Sequence, residues 1–418
     1  MQSQQAPSNT SFEQFDAVIV GAGMVGTALA GLLAGAGLRT ALVESRVAPL
    51  MIETLDTSTL TPRVSALTPV SQRLLTHLGA WPAMSSTRVT PYRYMQVWDG
   101  EGSGHIDFSA DEAGTAVLGH IVENSVTLAA LNQKVLTLPT LQAYYGVEVA
   151  ALQTASKGRS VILKDRRELN APLVVAADGA RSALRALAGI EVAEQAMEQD
   201  AVVTTVRCEK PHGGCARQVF VDGRPLAFLP LSLEGDEHYC SIVWSTSARH
   251  ADTLEGLSNE ALGEAMAETL DHRLGRVEVI DRVHRFPLIQ RHAKTYTLDH
   301  FALVGDAAHT IHPLAGQGVN LGLMDAAVLA DEVIHAWRRG ASIGERATLS
   351  RFERRRRPDN AAMLALMKGF KTLFGSRQPA LTLARNLGMS AVSQAVPLKR
   401  LIMRQATGER GRLPRSCR

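Results

Sequence analysis

No CxxC pair occurs in this chain, and its four cysteines, Cys208, Cys215, Cys240 and Cys417, stand singly. That scarcity argues against a disulfide framework or a thiolate zinc site and fits reduced thiols in a cytoplasm. Long apolar runs are missing as well. No stretch of about 20 uninterrupted apolar residues exists, which argues against a transmembrane helix. The opening MQSQQAPSNTSFEQF has neither a basic lead nor an apolar stretch and does not read as a secretory signal. A net charge of +3 over 418 residues does not suggest nucleic acid as a partner. Internal repeats and low-complexity tracts are absent. What remains is a 45% hydrophobic chain, long enough to favour two domains.

The first informative segment is near the start. Residues 15–20 (FDAVIV) form a short apolar, β-branched run, as a buried parallel strand does. The run enters Gly21, Gly23 and Gly26 of GAGMVG. A helical pattern follows through Ala28, Leu29, Leu32 and Leu33, and a second strand, 39–43, stops at Glu44. Glycines there permit a tight turn and close approach to a pyrophosphate. The helix N-terminus offers free N–H groups, and the acidic residue accepts hydrogen bonds from a ribose. This element predicts an adenine dinucleotide, and NAD and FAD both use it.

A second segment decides between them. Residues 301–306 (FALVGD) read as another buried strand, ending at Gly305 and Asp306. A carboxylate at that edge can bind a ribityl or ribose hydroxyl. The next helix, from about Gly318, aims its N-terminus at whatever lies beyond. Gly316, Gln317 and Gly318 let backbone N–H groups approach a flat ring that gains negative charge on reduction, as a flavin does. Between the two lies a third strand-to-turn device, 173–177 followed by Asp178, Gly179, Ala180, Arg181 and Ser182.

GAGMVG, ADGARS and GDAAHTIHPLAGQGVNLG, in this order, resemble the class A flavoprotein monooxygenases, relatives of the hydroxybenzoate hydroxylases. Residues 63–81, 95–108, 118–124, 286–293 and 351–360 further resemble the ubiquinone-biosynthesis hydroxylases. The resemblance spans nearly the whole chain. It implies an α/β fold: a doubly wound, Rossmann-like FAD-binding domain with an inserted β-sheet substrate domain and C-terminal helices. The implied division is 14–85, 105–189 and 287–345 for the FAD-binding domain, 86–104 and 190–286 for the substrate domain, and 346–405 for the helical region. FAD would be held by Gly21, Gly23, Gly26 and Glu44, with Asp306 on the ribityl chain and Arg63 near the flavin or its phosphates. Asp178 and Arg181 would serve FAD and NAD(P)H together. Pro313 and the 315–320 loop, including Asn320, would lie beside the isoalloxazine ring. The implied chemistry is transfer of oxygen from a flavin C4a-hydroperoxide to an activated aromatic carbon, with O2 and NAD(P)H consumed and no metal needed.

Residues 200–246 alternate as antiparallel strands do, and Asp222-Gly223 reads as a hairpin turn. Phe220, Phe228, Pro230 and Trp244 are candidate substrate-lining residues, with core packing as the alternative. Arg217 and Arg224 make no convincing clamp for a substrate carboxylate, which suits a decarboxylated, prenylated phenol. His309 and His312 lack a third acidic partner for a metal. By family position His120 approaches the flavin and can influence the phenol proton, the alternative being a structural histidine. His120 and Pro313 are thus the catalytic candidates. The run RFERRRR (351–357), apolar positions from Met363 to Phe374, and a basic tail after Arg377 form a C-terminal region that can pack on the FAD domain, lie on an anionic membrane surface at the cytoplasmic face, or dock with other ubiquinone-biosynthesis proteins. The functional expectation is an FAD-dependent hydroxylase of a polyprenyl phenol. Alternatives are a hydroxylase of a small soluble aromatic, a flavin-binding assembly subunit, and an FAD-dependent reductase of prenyl double bonds.

Overall fold

A computed structural model describes residues 12–310, 318–375, 399, 403, 407–409 and 411–418. Its centre is a six-stranded sheet in the order Thr297–Leu298, Phe301–Leu303, Leu173–Ala176, Ala17–Val20, Thr40–Glu44, Leu141–Tyr145. All pairings are parallel except that of the first two strands. The central strands are apolar at every position because both faces are covered, which is why they read as unbroken hydrophobic runs. Helices Met24–Gly35, Asn124–Val135 and Gly318–Arg338 pack together on this sheet. A four-stranded sheet, Phe12–Gln14, Glu168–Ala171, Gly158–Leu163 and Val149–Ala155, adds Val161, Leu163 and Leu169 to the same core.

The second large body is a nine-stranded sheet. Its order is His309–Thr310, His284–Ala293, Val192–Cys208, Asp236–Ser247, Arg224–Leu233, Cys215–Val221, Tyr94–Asp99, His105–Ser109, with Val277–Val279 also on the long Val192–Cys208 strand. Asp222 and Gly223 both have positive φ, 51° and 69°, and Val221 faces Arg224 across the turn, so the expected hairpin is the two-residue type whose twist matches its strands. Two expected boundaries move. His105–Ser109 forms a hairpin with Tyr94–Asp99 and so belongs to this sheet, not to the 105–189 segment of the FAD-binding domain. The 286/287 boundary cuts the continuous strand His284–Ala293.

The two faces of this sheet have different neighbours. Leu226, Phe228, Cys240, Ile242 and Trp244 share one core with helices Ala248–Glu255 and Asn259–Thr269. Ala227, Leu229, Leu231 and Val243, one residue out of step, face a core containing Leu60, Ala66, Tyr92 and Ile121. That core belongs to the segment leading from the first body and to a three-stranded sheet of Val64–Leu67, Gly119–Glu123 and Thr90–Tyr92. A buried ion pair tightens this junction. Arg88 contacts Glu123 at 2.5 Å and donates to the carbonyls of Thr57 and Thr59, while Thr61 donates to Glu123.

The basic run lies on helix Arg346–Gly375 and is divided in use. Arg351, Arg354 and Arg357 are exposed. Glu353 accepts hydrogen bonds from Thr295, Tyr296 N–H and Thr297, Arg355 pairs with Asp331 and Glu332, and Arg356 is buried against Asp325. The end of the tail docks on the first body: Cys417 is buried in its core, Leu413 packs beside it, and Arg73 donates to the Cys417 carbonyl at 2.8 Å. Residues 376–398 and the side chains of Met367, Phe370, Leu373 and Phe374 lie outside the described residues. Among the described residues, no helix is long and apolar enough to cross a membrane.

Candidate functional site

Three strands of the parallel sheet end side by side, and each ends in a turn. After Ala17–Val20 the chain turns at Gly21, whose φ of +105° suits glycine; a Cβ there would meet the Ala177 carbonyl oxygen at 2.4 Å. Gly26 lies so close to Gly21 that a Cβ would sit 1.9 Å from its oxygen. Gly23 is the opposite case: a Cβ on it would find no atom of the described residues within 4 Å. It is the N-cap of helix Met24–Gly35, and among the described residues no side chain caps that end. The turn therefore holds strand and helix tightly together and leaves bare N–H groups beside open space, an anion cradle.

Glu44 closes this cradle. Its carboxylate accepts the Ala22 N–H at 2.8 Å and contacts Arg46 at 3.2 Å, and the Arg46 guanidinium donates to the Ala22 carbonyl at 2.6 Å. Burial would raise the Glu44 pKa, but hydrogen bonds from the Arg46 side chain, the Arg46 N–H and the Ala22 N–H outweigh it and hold the carboxyl below its usual range. The carboxylate thus stays ionised beside the glycine turn, where it can accept a hydrogen bond from a ribose hydroxyl. Arg46, two positions after Glu44, is a contact of this turn that the sequence does not single out.

At the neighbouring strand end, Gly305 (φ +59°) and Asp306 form a single helical turn, Gly305–Ala307. Asp306 is open to solvent on one side and crowded by protein on the other. Burial pushes its carboxyl pKa up, against the pull of His309 and Arg63. An exposed acid just beyond a strand's carboxyl edge matches a site for a ligand hydroxyl. Arg63 is exposed, and its guanidinium carbon lies 5.6 Å from the centre of the Phe286 ring. It therefore links the Asp306 turn to the nine-stranded sheet.

Asp178, at the third strand end, is occupied by its own turn: Ser182 donates to one carboxylate oxygen and the Leu184 N–H to the other. Arg181 is exposed. Arg185, which the sequence does not single out, is buried and donates to the Ala307 and Ala180 carbonyls at 2.9 and 3.2 Å, joining the Asp178 turn to the Asp306 turn. Asn320 is turned inward. Its amide donates to Ala66 and accepts from the Thr68 N–H and the Ser71 hydroxyl, which pins the start of helix Gly318–Arg338. Pro313, Gly316, Gln317 and His312 lie outside the described residues. Gly318 begins the helix, as expected.

Several expectations are corrected by side-chain direction. Phe228 and Trp244 are in the core beneath the outer helices, and Pro230 shares their strand face, so these three look away from the first body. Phe220 packs with Val97 and Ile106 near the sheet's edge. The run RPLAFLPLSL is buried on both sides, so no alternation marks which residues face the ligand. The face toward Arg63 carries Phe286, Leu288, Val203 and Val243. His120 is also misdirected. It pairs with Leu67, and Leu67 and Val122 on its face belong to the first body's core, whereas Ile121 faces the second. Its ring packs edge-on to Trp81 at 4.9 Å, its Nδ1 has no hydrogen-bond partner among the described residues, and burial brings its pKa down to about 4. Arg217 is engaged with the carbonyls of His212 and Cys215. His309 donates to Asp325 at 2.6 Å. Among the described residues, no cluster of three or more metal-ligating side chains is found.

The glycine cradle with the charged Glu44, and the exposed Asp306 carboxyl group, are donor and acceptor sets suited to the two ends of an FAD molecule. Residues 14–366 match the model of an FAD binding domain family. The chain is 37% identical to 3-demethoxyubiquinol 3-hydroxylase of Escherichia coli K12, over 93% of this chain and 97% of that protein. Identity is 35% to the ubiquinone hydroxylase UbiL of Rhodospirillum rubrum, over 94% and 89%. The mitochondrial ubiquinone biosynthesis monooxygenase COQ6 of Xenopus tropicalis is 32% identical, over 96% and 94%. Among solved structures, p-nitrophenol 4-monooxygenase PnpA of Pseudomonas putida DLL-E4 shares the fold, with a TM-score of 0.75, 20% identity and coverage of 96% of this chain and all of that one. The chain belongs to the FAD-binding family, in the branch of the ubiquinone-biosynthesis hydroxylases.

Proposed function

We propose that this protein hydroxylates the aromatic ring of a polyprenyl phenol in ubiquinone biosynthesis, using FAD, O2 and NAD(P)H. Arg63 is the observation that carries the reading: it lies within electrostatic reach of Asp306 and against Phe286, so it stands between the Asp306 turn and an apolar sheet face. Bound FAD supplies the redox chemistry that activates O2. Gly21, Gly23, Gly26 and Glu44 would hold its adenosine and pyrophosphate end, and Asp306 its ribityl chain. Gly316, Gln317 and Gly318 would approach the ring, with Pro313 beside it.

The remaining task of the chain is to orient a greasy ring and exclude water. Phe286, Leu288, Val203 and Val243 form an apolar wall suited to a prenylated phenol, and the position of Arg63 suits it to favour a phenolate by its charge. With its ring turned to Trp81, His120 takes no part in this assignment. The division into an FAD-binding unit and a β-sheet substrate unit belongs to the same reading, as does a peripheral approach to the membrane through the basic C-terminal region.

Purified protein loaded with FAD, given NADPH or NADH and a short-chain prenylated phenol under labelled O2, should place one labelled oxygen on the ring. A soluble hydroxybenzoate should be hydroxylated far more slowly. Product without label would remove the oxygenase reading and favour a reductase; equal turnover of the soluble aromatic would remove the lipophilic substrate.

A further inference from the structure

One buried carboxylate near the Asp306 turn has no part in the function proposed so far. Asp325 lies on helix Gly318–Arg338 and is fully inaccessible. Four donors converge on it. The Gly305 N–H and His309 Nε2 reach Oδ2 at 3.1 and 2.6 Å; Arg356 Nε and Asn360 Nδ2 reach Oδ1 at 2.7 and 3.1 Å. Arg356 also donates to the side-chain Oδ1 of Asn360 at 2.8 Å, and Tyr296 stacks on His309 with ring centres 6.0 Å apart. Asp325, Asn360, His309 and Arg356 are all at most 4% exposed.

A buried ion pair of this kind is weak evidence for stability, because desolvation offsets most of the attraction. Its geometry is more informative. The two donors on Oδ2 come from Gly305 and His309, the residues on either side of the Asp306 turn. The two on Oδ1 come from helix Arg346–Gly375. The carboxylate thus grips the turn from behind and anchors it to two helices at once. His309 and Arg356 hold the Asp325 pKa down to about 2 although burial would raise it, so the carboxylate keeps its charge and accepts all four bonds.

We infer that Asp325 is the positioning residue of the cofactor turn: through Gly305 and His309 it fixes where the Asp306 carboxylate meets FAD, and Arg356 and Asn360 fix Asp325 in turn. The inference rests on the reading that Asp306 contacts FAD. It gives the RFERRRRPDN segment a specific part, since Arg356 and Asn360 both belong to it. A charge in a helix stretch otherwise as apolar as VNLGLMDAAVLA is the sequence signal for such a residue.

The test compares Asp325→Asn with Glu332→Gln. Glu332 lies on the same helix as Asp325 but pairs with Arg355 at 2.7 Å, away from the turn. Both apoproteins should fold by circular dichroism with lowered Tm. Asp325→Asn should raise the FAD dissociation constant about tenfold or more, read by flavin fluorescence, and should alter the visible spectrum of the bound flavin, because a binding group is held in place by the shell behind it. Glu332→Gln should leave that constant within about twofold, since its partner Arg355 does not touch the turn. Should Asp325→Asn fail to fold, Arg356→Lys keeps the charge, loses the planar fork and should weaken FAD about threefold. An unchanged constant in Asp325→Asn or, failing that, in Arg356→Lys, overturns the inference; so does a rise in Glu332→Gln as large as in Asp325→Asn. Asp306→Ala separates this from the underlying reading. If it weakens FAD while Asp325→Asn does not, only the positioning claim fails; if it binds FAD normally, the cofactor assignment fails.

Discussion

The six-stranded and nine-stranded sheets place their candidate ligand contacts in different ways. In the parallel sheet everything of interest lies at strand ends: Gly21, Asp178 and Asp306 follow three adjacent strands. In the antiparallel sheet the contacts lie on one face, and adjacent residues such as Val243 and Trp244 belong to different cores. An end is marked by glycines and acids that break an apolar run, whereas a face is marked only by parity, which vanishes when both sides are buried.

The strand-end half of this comparison can be broken most sharply at Gly23. A Cβ there would meet no atom of the described residues within 4 Å, so Gly23→Val should leave the fold nearly intact; loss of a favoured N-cap residue costs about 1 kcal/mol. The FAD dissociation constant should rise about 100-fold or more, roughly 2.7 kcal/mol, as measured by flavin release from the purified protein. Retained flavin would mean that the cofactor does not use this cradle. Gly21→Val makes a poorer probe, because the protein's own Ala177 carbonyl already excludes the side chain.

The face half predicts a split between stability and substrate affinity. Phe228 is fully buried under the outer helices, so Phe228→Ala should cost about 3–5 kcal/mol of unfolding free energy and leave KM for the prenylated phenol almost unchanged. Val243→Phe should cost less, about 1–3 kcal/mol, and raise KM severalfold. Denaturant titration and steady-state kinetics check both, and the reverse pattern would put the substrate on the other side of the sheet.

The same distinction explains what was legible in the chain. Glu44 and Asp306 could be read because each ends an apolar strand. The Asp222-Gly223 hairpin was legible because both residues tolerate positive φ. Phe228, Pro230 and Trp244 were candidates of the wrong parity, since the apolar run around them is continuous. Asn320 was expected beside the flavin ring, and its amide is taken up by Ala66, Thr68 and Ser71, contacts some 250 residues away that no local pattern reveals. Arg185 and Arg356 were hidden for the same reason: their partners, Ala307 and Asp325, are distant in sequence or on another helix.

His120 supplies the smallest effect and the finest test, because it sits on the sheet between the two bodies. Burial brings its pKa from the usual 6.5 down to about 4. The unfolded chain therefore takes up a proton below about 6.5, and the folded chain does so only near 4. Stability is complete above the higher value and is lost as pH falls through this window, by on the order of 3 kcal/mol in all. His120→Phe keeps an aromatic ring against Trp81 and removes the titration, so the acid limb of Tm against pH should flatten between 6.5 and 4. Because the ring faces Trp81 and the first body's core, the pH dependence of kcat/KM should not change. A shifted kinetic profile would mean that His120 reaches the substrate after all, and that its strand face, unlike the others, was read correctly from sequence position alone.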